Sequence, residues 1–336
     1  MYKEITLQQP YMGANPYLAI FFSFVHVNPY TVPWLLKFFT SPYAFTKGEN
    51  SEFDMSLQGI VSANLLDDYF MMCCPFVEIC HINQFLLGGN IIPILENALQ
   101  LNYCPAIVIN PHSISAYGNM QLYEHDLLIQ GFDSDKEVFL CRDFFPPSYT
   151  YSQKPVSYGE FIDAYDKRDT KYNLRFIREK QLSALPGKTE MNKVLQEVLQ
   201  NLLNRDFCVN NPYYPLAYQV YNDKTGISLD ANKVWVGIEV YGGFLENLGK
   251  IPNKFWIMLS DSKKLILYAL SQLEDYYSKE TVHLYEAILH KLGILLNLNI
   301  KYNLTNEDGI IKRMASLLCE VMTLENKAIL MALNKG

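Results

Sequence analysis

The sequence predicts an α+β fold, in which a first part that mixes strands with short helices is followed by a mainly helical lobe. Two patterns and one break lead to this prediction. Before residue 180, apolar residues gather in short β-branched runs such as Tyr103–Asn110. After residue 189 they recur at helical spacing. The break at residues 182–189, which carries Pro186 and Gly187, places the two domains at 1–182 and 189–336.

Helices and strands are expected to alternate in the first part. Residues 16–39 are apolar and indicate a helical region with interruptions at Pro29 and Pro33. Residues 40–68 predict a loop with a short helix, and residues 69–87 predict a buried strand region. Ile91–Leu101 predicts an amphipathic helix with a proline in its first turn, and Tyr103–Asn110 predicts a β-strand.

A β-hairpin is predicted next, from Leu122–Gly131 and Glu137–Asp143, with its turn at Asp133–Lys136. A short helix at 158–166 and a strand at Tyr172–Arg178 close the first part. The second part contains candidate helices at 189–204, 230–248, 252–278, 280–297 and 305–334. Their apolar spacing is typical of a compact helical bundle.

Composition limits the classes of function. The 336 residues carry a formal net charge of −7 without any basic run, which disfavours nucleic-acid binding. Residues Met1–Thr6 lack the pattern of a signal peptide, and the apolar run Tyr17–Val27 is too short to span a bilayer. We therefore expect a soluble cytoplasmic protein with no membrane segment.

The seven cysteines show neither a CxxC pair nor the Cys/His spacing of a zinc site. Their odd number and scattered positions suit a reducing compartment. Cys80 and His81 are flanked by apolar residues and are interpreted as part of a strand that passes through the core. The sequence therefore predicts no metal site and no cofactor.

His125 and Asp143 are the candidate catalytic pair. His125 opens the first strand of the hairpin and Asp143 ends the second, so strand pairing can bring the two side chains together. A carboxylate that accepts a hydrogen bond from one imidazole nitrogen fixes the tautomer and leaves the other nitrogen to take a proton. Such a pair is two thirds of a nucleophilic triad, and the nucleophile is missing from this stretch.

The order of these segments resembles a known family. A helix, a strand with Pro-Ala-Ile-Val, a loop, the stretch His-Asp-Leu-Leu-Ile-Gln-Gly-Phe-Asp and a strand ending in Arg-Asp are similar to papain-like cysteine enzymes of the bacteriocin-processing peptidase type. They are more similar still to the butirosin biosynthesis protein H N-terminal family. The resemblance covers about residues 5–180. It implies a papain-like cysteine-protease fold with an appended, mainly helical C-terminal lobe, in which His125 is the base and Asp143 the orienting acid.

The resemblance also implies a cysteine at the start of a long helix, with a glutamine a few residues earlier in the oxyanion hole. No cysteine lies in Gln8–Ala19, and the spacing from Gln8, the candidate oxyanion donor, points to Ala14 as the nucleophile position. Three explanations stay open. Ala14 is an engineered replacement, a natural loss that leaves a binding protein, or a sign that the nucleophile lies elsewhere, at Ser23, Cys73, Cys74 or Cys80. The first is favoured because the rest of the apparatus is in place.

The resemblance implies a thiol acyltransferase that forms amide bonds from carrier-protein thioesters in natural-product biosynthesis, for example of antibiotics. A cysteine peptidase and a non-catalytic binding protein are the alternatives. The expected partners are a phosphopantetheinylated carrier protein and an amine acceptor, and a homodimer also stays open. A candidate docking face for an acidic carrier, or else an ordinary solvated surface, is formed by Lys167, Arg168, Lys171, Arg175, Arg178 and Lys180.

Overall fold

The computed structural model describes residues 1–47, 52–57, 74–83, 90–118, 124–147, 150–168, 174–180, 187–204 and 234–334. Two compact units divide the chain. The first contains Met1–His26 and Met71–Ser183, and the second contains Val27–Phe70 and Ala184–Gly336. The described helices are α1 (Pro16–Phe24), α2 (Val32–Phe39), α3 (Ile92–Gln100), α4 (Tyr158–Asp166), α5 (Lys188–Leu203), α6 (Val240–Glu246), α7 (Asn253–Gln272), α8 (Lys279–Thr305) and α9 (Asp308–Leu333).

In the described part of the chain, the first unit is built on an antiparallel sheet of seven strands. The path across the sheet runs through β4 (Val77–Ile82), β9 (Leu174–Glu179), β5 (Cys104–Ile109), β6 (His125–Asp133), β7 (Val138–Phe145) and β8 (Thr150–Ser157). The seventh strand, β1 (Tyr2–Glu4), pairs with the last three residues of β6. The prediction of a mixed helix-and-strand fold with a helical C-terminal region is therefore confirmed at this level.

Strands β6 and β7 form the predicted hairpin. The register pairs Leu128 with Arg142 and then shifts at a bulge, so that Gly131 pairs with Leu140. β1 approaches so closely that a Cβ at Gly131 would lie 2.5 Å from the main-chain oxygen of Lys3. Only glycine fits this approach. Because β6 and β7 are antiparallel, the start of β6 and the end of β7 lie side by side at the same end of the hairpin.

The core of the first unit lies between one face of this sheet and the helices α3 and α4. Helix α3 contributes its buried stripe, Leu95 and Leu99, and α4 contributes Phe161. These side chains pack with Leu127 of β6 and Phe139 of β7. Alternate residues of β6 and β7 point to this core, and the residues between them are largely buried as well, because α1 packs against β6.

The second unit contains a three-stranded sheet in the order β10 (Val234–Val236), β2 (Pro42–Lys47) and β3 (Glu52–Leu57), together with helices α2 and α5–α9. The predicted helix at 230–248 is wrong in part. Of its described residues, 234–236 form strand β10, because they pair with Tyr43–Phe45 of β2, and the helix begins only at Val240. Gly243 admits Trp235, since a Cβ there would lie 2.7 Å from the indole.

The division of the chain also differs from the predicted domains 1–182 and 189–336. Residues 27–70 belong to the second unit. Tertiary contacts account for this placement, because α2 packs on α5 and α7, and β2 is paired to β10. None of these contacts is visible in local sequence patterns.

A fully buried ion pair lies among the helices of the second unit. Lys263 Nζ of α7 lies 2.6 Å from Glu325 Oε1 of α9, and both side chains are 1% exposed. The hydroxyl of Tyr241 donates a hydrogen bond to the other oxygen of Glu325. Removing two charges from water is costly, and the close ion pair and the additional hydrogen bond offset that cost. Among the described helices, none combines the length and the apolar character that crossing a bilayer requires.

Candidate active site

His125 and Asp143 form a hydrogen-bonded pair at the end of the hairpin where β6 starts and β7 finishes. His125 Nε2 lies 2.6 Å from Asp143 Oδ2. The Asp143 side chain is 1% exposed, whereas that of His125 is 23% exposed. The main-chain N–H of Phe144 donates to the other oxygen of Asp143 at 2.7 Å. The carboxylate is therefore fixed in the protein, while the imidazole remains accessible to solvent.

A tyrosine that sequence reasoning missed completes this cluster. The hydroxyl of Tyr117 donates to Asp143 Oδ2 and lies 3.4 Å from His125 Nε2. Its ring meets the imidazole edge-on, with centroids 5.6 Å apart. Burial, followed by the charge of Asp143, raises the pKa of Tyr117, so the hydroxyl keeps its proton and acts as a donor.

The loop between β5 and β6 presents Tyr117 from a short 3₁₀ turn, Ser115–Tyr117. Glu160, in the first turn of α4, accepts a hydrogen bond from the Ser115 N–H at 3.0 Å. Lys154 Nζ of β8 donates to the main-chain oxygens of Ala116 at 3.3 Å and Pro146 at 3.0 Å. The two loop residues that directly precede Tyr117 are thus tied to α4 and β8.

Ala14 lies directly before α1. Asn15 caps this helix, because its side chain accepts a hydrogen bond from the Leu18 N–H at 2.8 Å, and Pro16 occupies the first turn. Tyr17–Phe24 are all buried, as expected for a helix that is apolar on every face. A side chain at position 14 therefore lies at the positive end of a helix, although α1 has only nine residues.

Two contacts place the start of α1 against the strands of the dyad. A Cβ at Gly13 would lie 3.7 Å from the Phe144 ring, and Phe144 is the neighbour of Asp143. The Tyr17 ring lies 6.0 Å from the guanidinium of Arg175. That guanidinium pairs with Asp126, which follows His125 on β6. The predicted nucleophile position thus comes to the same end of β6 and β7 as the dyad.

The Gln8 side chain is hydrogen-bonded to the main chain of α1. Its side-chain Nε2 donates to the main-chain oxygen of Phe22 at 2.8 Å. Phe22 is seven residues beyond Asn15, so this contact lies about 10 Å along the axis from the start of α1. The amide of Gln8 thus lies beside the last turn of α1, and its role as the oxyanion donor stays a prediction. Segment 8–14 has no helical or strand periodicity from which its course could have been predicted.

The alternative nucleophiles in the first unit are poorly placed. Cys74 is buried. Cys104 and Cys141, which were not among the alternatives, are buried too, and burial raises the pKa of both thiols. Cys80 is exposed on β4, three strand spacings from β6 and thus about 14 Å away. The Ser23 hydroxyl is buried and donates to the Ala19 main-chain oxygen at 2.8 Å. Cys73 lies outside the described residues.

Cys80 and His81 do lie in a strand, as predicted, but the core position predicted for them is wrong. β4 is the last strand on its side of the described sheet, where it pairs with β9 only, and Cys80 is exposed. Within the described residues, no group of three His, Cys, Asp or Glu side chains is arranged to hold a metal ion.

The predicted basic docking face is divided by ion pairs. Arg175 is buried and pairs with Asp126, and Arg178 pairs with Glu78 at 2.7 Å. Lys167 pairs with Asp163 at 2.7 Å. Lys171 lies outside the described residues. A single surface of unpaired positive charge does not follow from these positions.

A cavity of about 470 Å³ is found in the first unit, but neither His125 nor Asp143 lines it. It is lined by residues of segment 5–7, the last turn of α1 and the ends of β4 and β9.

No protein-family model and no curated protein matches this chain.

Proposed function

We propose that this chain has a papain-like fold with a site for acyl transfer. His125 is the base of this site, Asp143 is the acid that orients it, and residue 14, an alanine here, occupies the position of the nucleophile. The observation that carries the proposal is the 2.6 Å contact between His125 Nε2 and Asp143 Oδ2, made by a buried carboxylate and an accessible imidazole. The position of residue 14 before α1, at the same end of the hairpin, supports it.

The chemistry follows from which imidazole nitrogen Asp143 holds. With Nε2–H donated to the carboxylate, Nδ1 is the nitrogen that accepts a proton. A thiol at position 14 would give its proton to Nδ1 and attack an acyl carbonyl. The S–C bond forms while the leaving group departs with a proton from the imidazolium. An amine then attacks the thioester, so that a C–N bond replaces the C–S bond and the thiol is regenerated.

The substrates follow from the family resemblance: an acyl group carried as a thioester on a phosphopantetheinylated carrier protein, and an amine acceptor in natural-product biosynthesis. If water replaces the amine, the same site is a peptidase or thioesterase, and exclusion of water separates the two outcomes. The resemblance likewise supplies the papain-like fold assignment of the first unit.

A second candidate is a binding protein that keeps the fold and the dyad without turnover. Ala14 favours it, because a methyl group cannot attack a carbonyl. The engagement of Gln8 with Phe22 favours it as well, because the expected oxyanion donor is committed elsewhere.

The deciding experiment is Ala14→Cys. We expect the introduced thiol to react with iodoacetamide at pH 6 at least about tenfold faster than an ordinary thiol, because a helix N-terminus and a nearby histidine lower thiol pKa values. The matched control is Gly13→Cys, one residue earlier on the same segment. Peptide mapping by mass spectrometry assigns the label, since the chain has seven other cysteines.

The second readout is an acyl adduct of the Ala14→Cys variant, detected by intact mass after addition of an acyl thioester. Amine or water is then added to see which one releases the acyl group. Equal reactivity of the two variants, no adduct and no effect of His125→Ala would together remove the acyl-transfer proposal.

A further inference from the structure

Tyr117 touches both members of the dyad. We propose that Tyr117 is a positioning residue that holds Asp143 Oδ2 by its hydroxyl proton and thereby sets how readily His125 takes up a proton. The inference rests on the proposed role of His125 as a general base. It concerns a residue that does not itself contact the reacting atoms.

The geometry gives Tyr117 this role. Asp143 Oδ2 accepts from two donors, the Tyr117 hydroxyl and His125 Nε2. Each donor draws on the same negative charge. Donation from Tyr117 therefore weakens the attraction between the carboxylate and a protonated imidazole. The imidazole is kept oriented while its protonated form is stabilised less than it would be by an unshared carboxylate.

Tyr117 is itself held firmly enough to do this. It is 1% exposed, and its ring packs on Phe145 with centroids 4.9 Å apart. The turn that carries it is anchored through Ser115 to Glu160 of α4 and through Ala116 to Lys154 of β8. The hydroxyl is therefore aimed by two elements outside its own loop.

Other titratable and charged side chains of the described residues lie near the dyad. Cys141 of β7 and Tyr151 of β8 lie close enough to Asp143 to feel its charge, and burial keeps both protonated. Arg142 donates to the Gln8 main-chain oxygen at 2.9 Å. Asp126, the residue after His125 on β6, forms an ion pair with Arg175 of β9. Within the described part of the site, Tyr117 is thus a neutral side chain whose hydroxyl donates directly to the shared oxygen.

The test is an NMR titration of the His125 ring in the chain as it stands, with Ala14 and no substrate. In Tyr117→Phe the titration midpoint should rise by roughly half a pH unit or more, because Asp143 Oδ2 then accepts from His125 Nε2 without the competing hydroxyl donor. The matched control is Tyr151→Phe. It removes an equally buried hydroxyl from the neighbouring strand, one that makes no hydrogen bond to the dyad. Its midpoint should stay within about 0.2 unit of the parent.

A second variant keeps the test decisive if Tyr117→Phe fails to fold. Site-specific 3-fluorotyrosine at position 117 keeps the volume and the hydroxyl but makes a stronger donor, so the midpoint should fall. Movement of the midpoint in opposite directions in the two variants supports the inference, because a merely structural role would not reverse sign. An unchanged midpoint in the fluorinated chain, or equal shifts in Tyr117→Phe and Tyr151→Phe, overturns it. Failure of Ala14→Cys to react would remove the acyl-transfer proposal but leave this result intact.

Discussion

The side-chain amide of Gln8 is hydrogen-bonded to the main-chain oxygen of Phe22, 2.8 Å away, in the last turns of α1. In the Ala14→Cys variant, Gln8→Ala should therefore change the rate of acyl-adduct formation by less than about threefold. Loss of a true oxyanion donor costs about a hundredfold or more. The measurement is adduct formation followed by mass. A hundredfold loss would restore Gln8 to the oxyanion hole.

Asp143 is expected to act on reactivity through His125. In the Ala14→Cys variant, Asp143→Ala should slow iodoacetamide labelling at pH 6 by at least about tenfold, because the imidazole loses the acceptor that fixes its tautomer. Asp143→Asn is the matched variant. Its amide oxygen can still accept from Nε2, so its rate should lie between the other two. Labelling rates that are equal in all three chains would show that Asp143 does not orient the base.

Glu160 should make the stability of the first unit sensitive to acid. Burial alone would raise the pKa of Glu160, but hydrogen bonds from Ser115 and Ser157 outweigh it and lower this pKa to about 2. Because the folded-state pKa lies below the unfolded value of about 4.3, the stabilisation is complete above about pH 5 and is lost as the pH falls toward 2. Glu160→Gln should reduce the free energy of unfolding at pH 7 by about 1–3 kcal/mol.

Urea unfolding at pH 7 and pH 3 checks this. The difference in the free energy of unfolding between Glu160→Gln and the parent should be smaller at pH 3 than at pH 7. Glu190→Gln is the control, because Glu190 is an exposed glutamate in the first turn of α5 without a capping box. It should change stability by less than about 0.5 kcal/mol at either pH. A gap for Glu160 that is the same at both pH values would contradict the assignment.

Gly131 should not tolerate a methyl group. Gly131→Ala brings a Cβ to within 2.5 Å of the Lys3 main-chain oxygen, so β1 must move or detach. We expect a loss of about 1–3 kcal/mol in the free energy of unfolding. Faster hydrogen exchange is also expected at the Ile5 amide, which donates to the Gln130 oxygen. Gly159→Ala in α4 meets no neighbouring atom within 4 Å and should be neutral or stabilising. Equal behaviour of the two variants would refute the close approach.

The buried pair in the second unit predicts a rescue. Lys263→Met should lower the free energy of unfolding by about 3–5 kcal/mol, because it leaves the Glu325 charge buried without its partner. The double variant Lys263→Met with Glu325→Leu should recover most of the loss. Lys301→Met breaks an exposed pair, in which both side chains are 57% exposed, and should cost under about 1 kcal/mol. Denaturant unfolding of the three variants gives the comparison. A double variant no more stable than Lys263→Met alone would contradict it.

Local sequence patterns were sufficient to predict most of the helices and strands described in the first unit. The helix predicted at 158–166 is α4 to the residue, and the helix predicted at Ile91–Leu101 is Ile92–Gln100. The predicted hairpin is present as His125–Asp133 and Val138–Phe145. The helices repeat their apolar residues at helical spacing, and the two strands are short apolar runs on either side of a polar turn, which is enough to identify the type of each element. The register of the hairpin was not predictable in the same way, because it shifts at a bulge between Ile129 and Gly131.

Contacts between distant segments were beyond the reach of such patterns. Strand β10 exists because residues 234–236 pair with β2, almost two hundred residues earlier. Tyr117 was passed over because nothing in a polar loop shows that its hydroxyl meets Asp143, 26 residues later. The capping box of Ser157 and Glu160 did carry a signal, the spacing Ser-x-x-Glu before an apolar run. This spacing predicts the position of Glu160, whose carboxylate accepts a hydrogen bond from the turn that carries Tyr117.

The interleaving of the two units has a consequence for synthesis on the ribosome. β1 has to wait for its partner at Gly131–Asp133, about 130 residues later. At about 5–20 residues per second, that delay is roughly 6–25 s. Residues 27–70, made in the meantime, belong to a unit whose remaining chain starts at Ala184. Two stretches of nascent chain therefore await later partners at the same time: β1 lacks the strand that pairs with its main chain, and the apolar residues of α2 lack the helices that bury them.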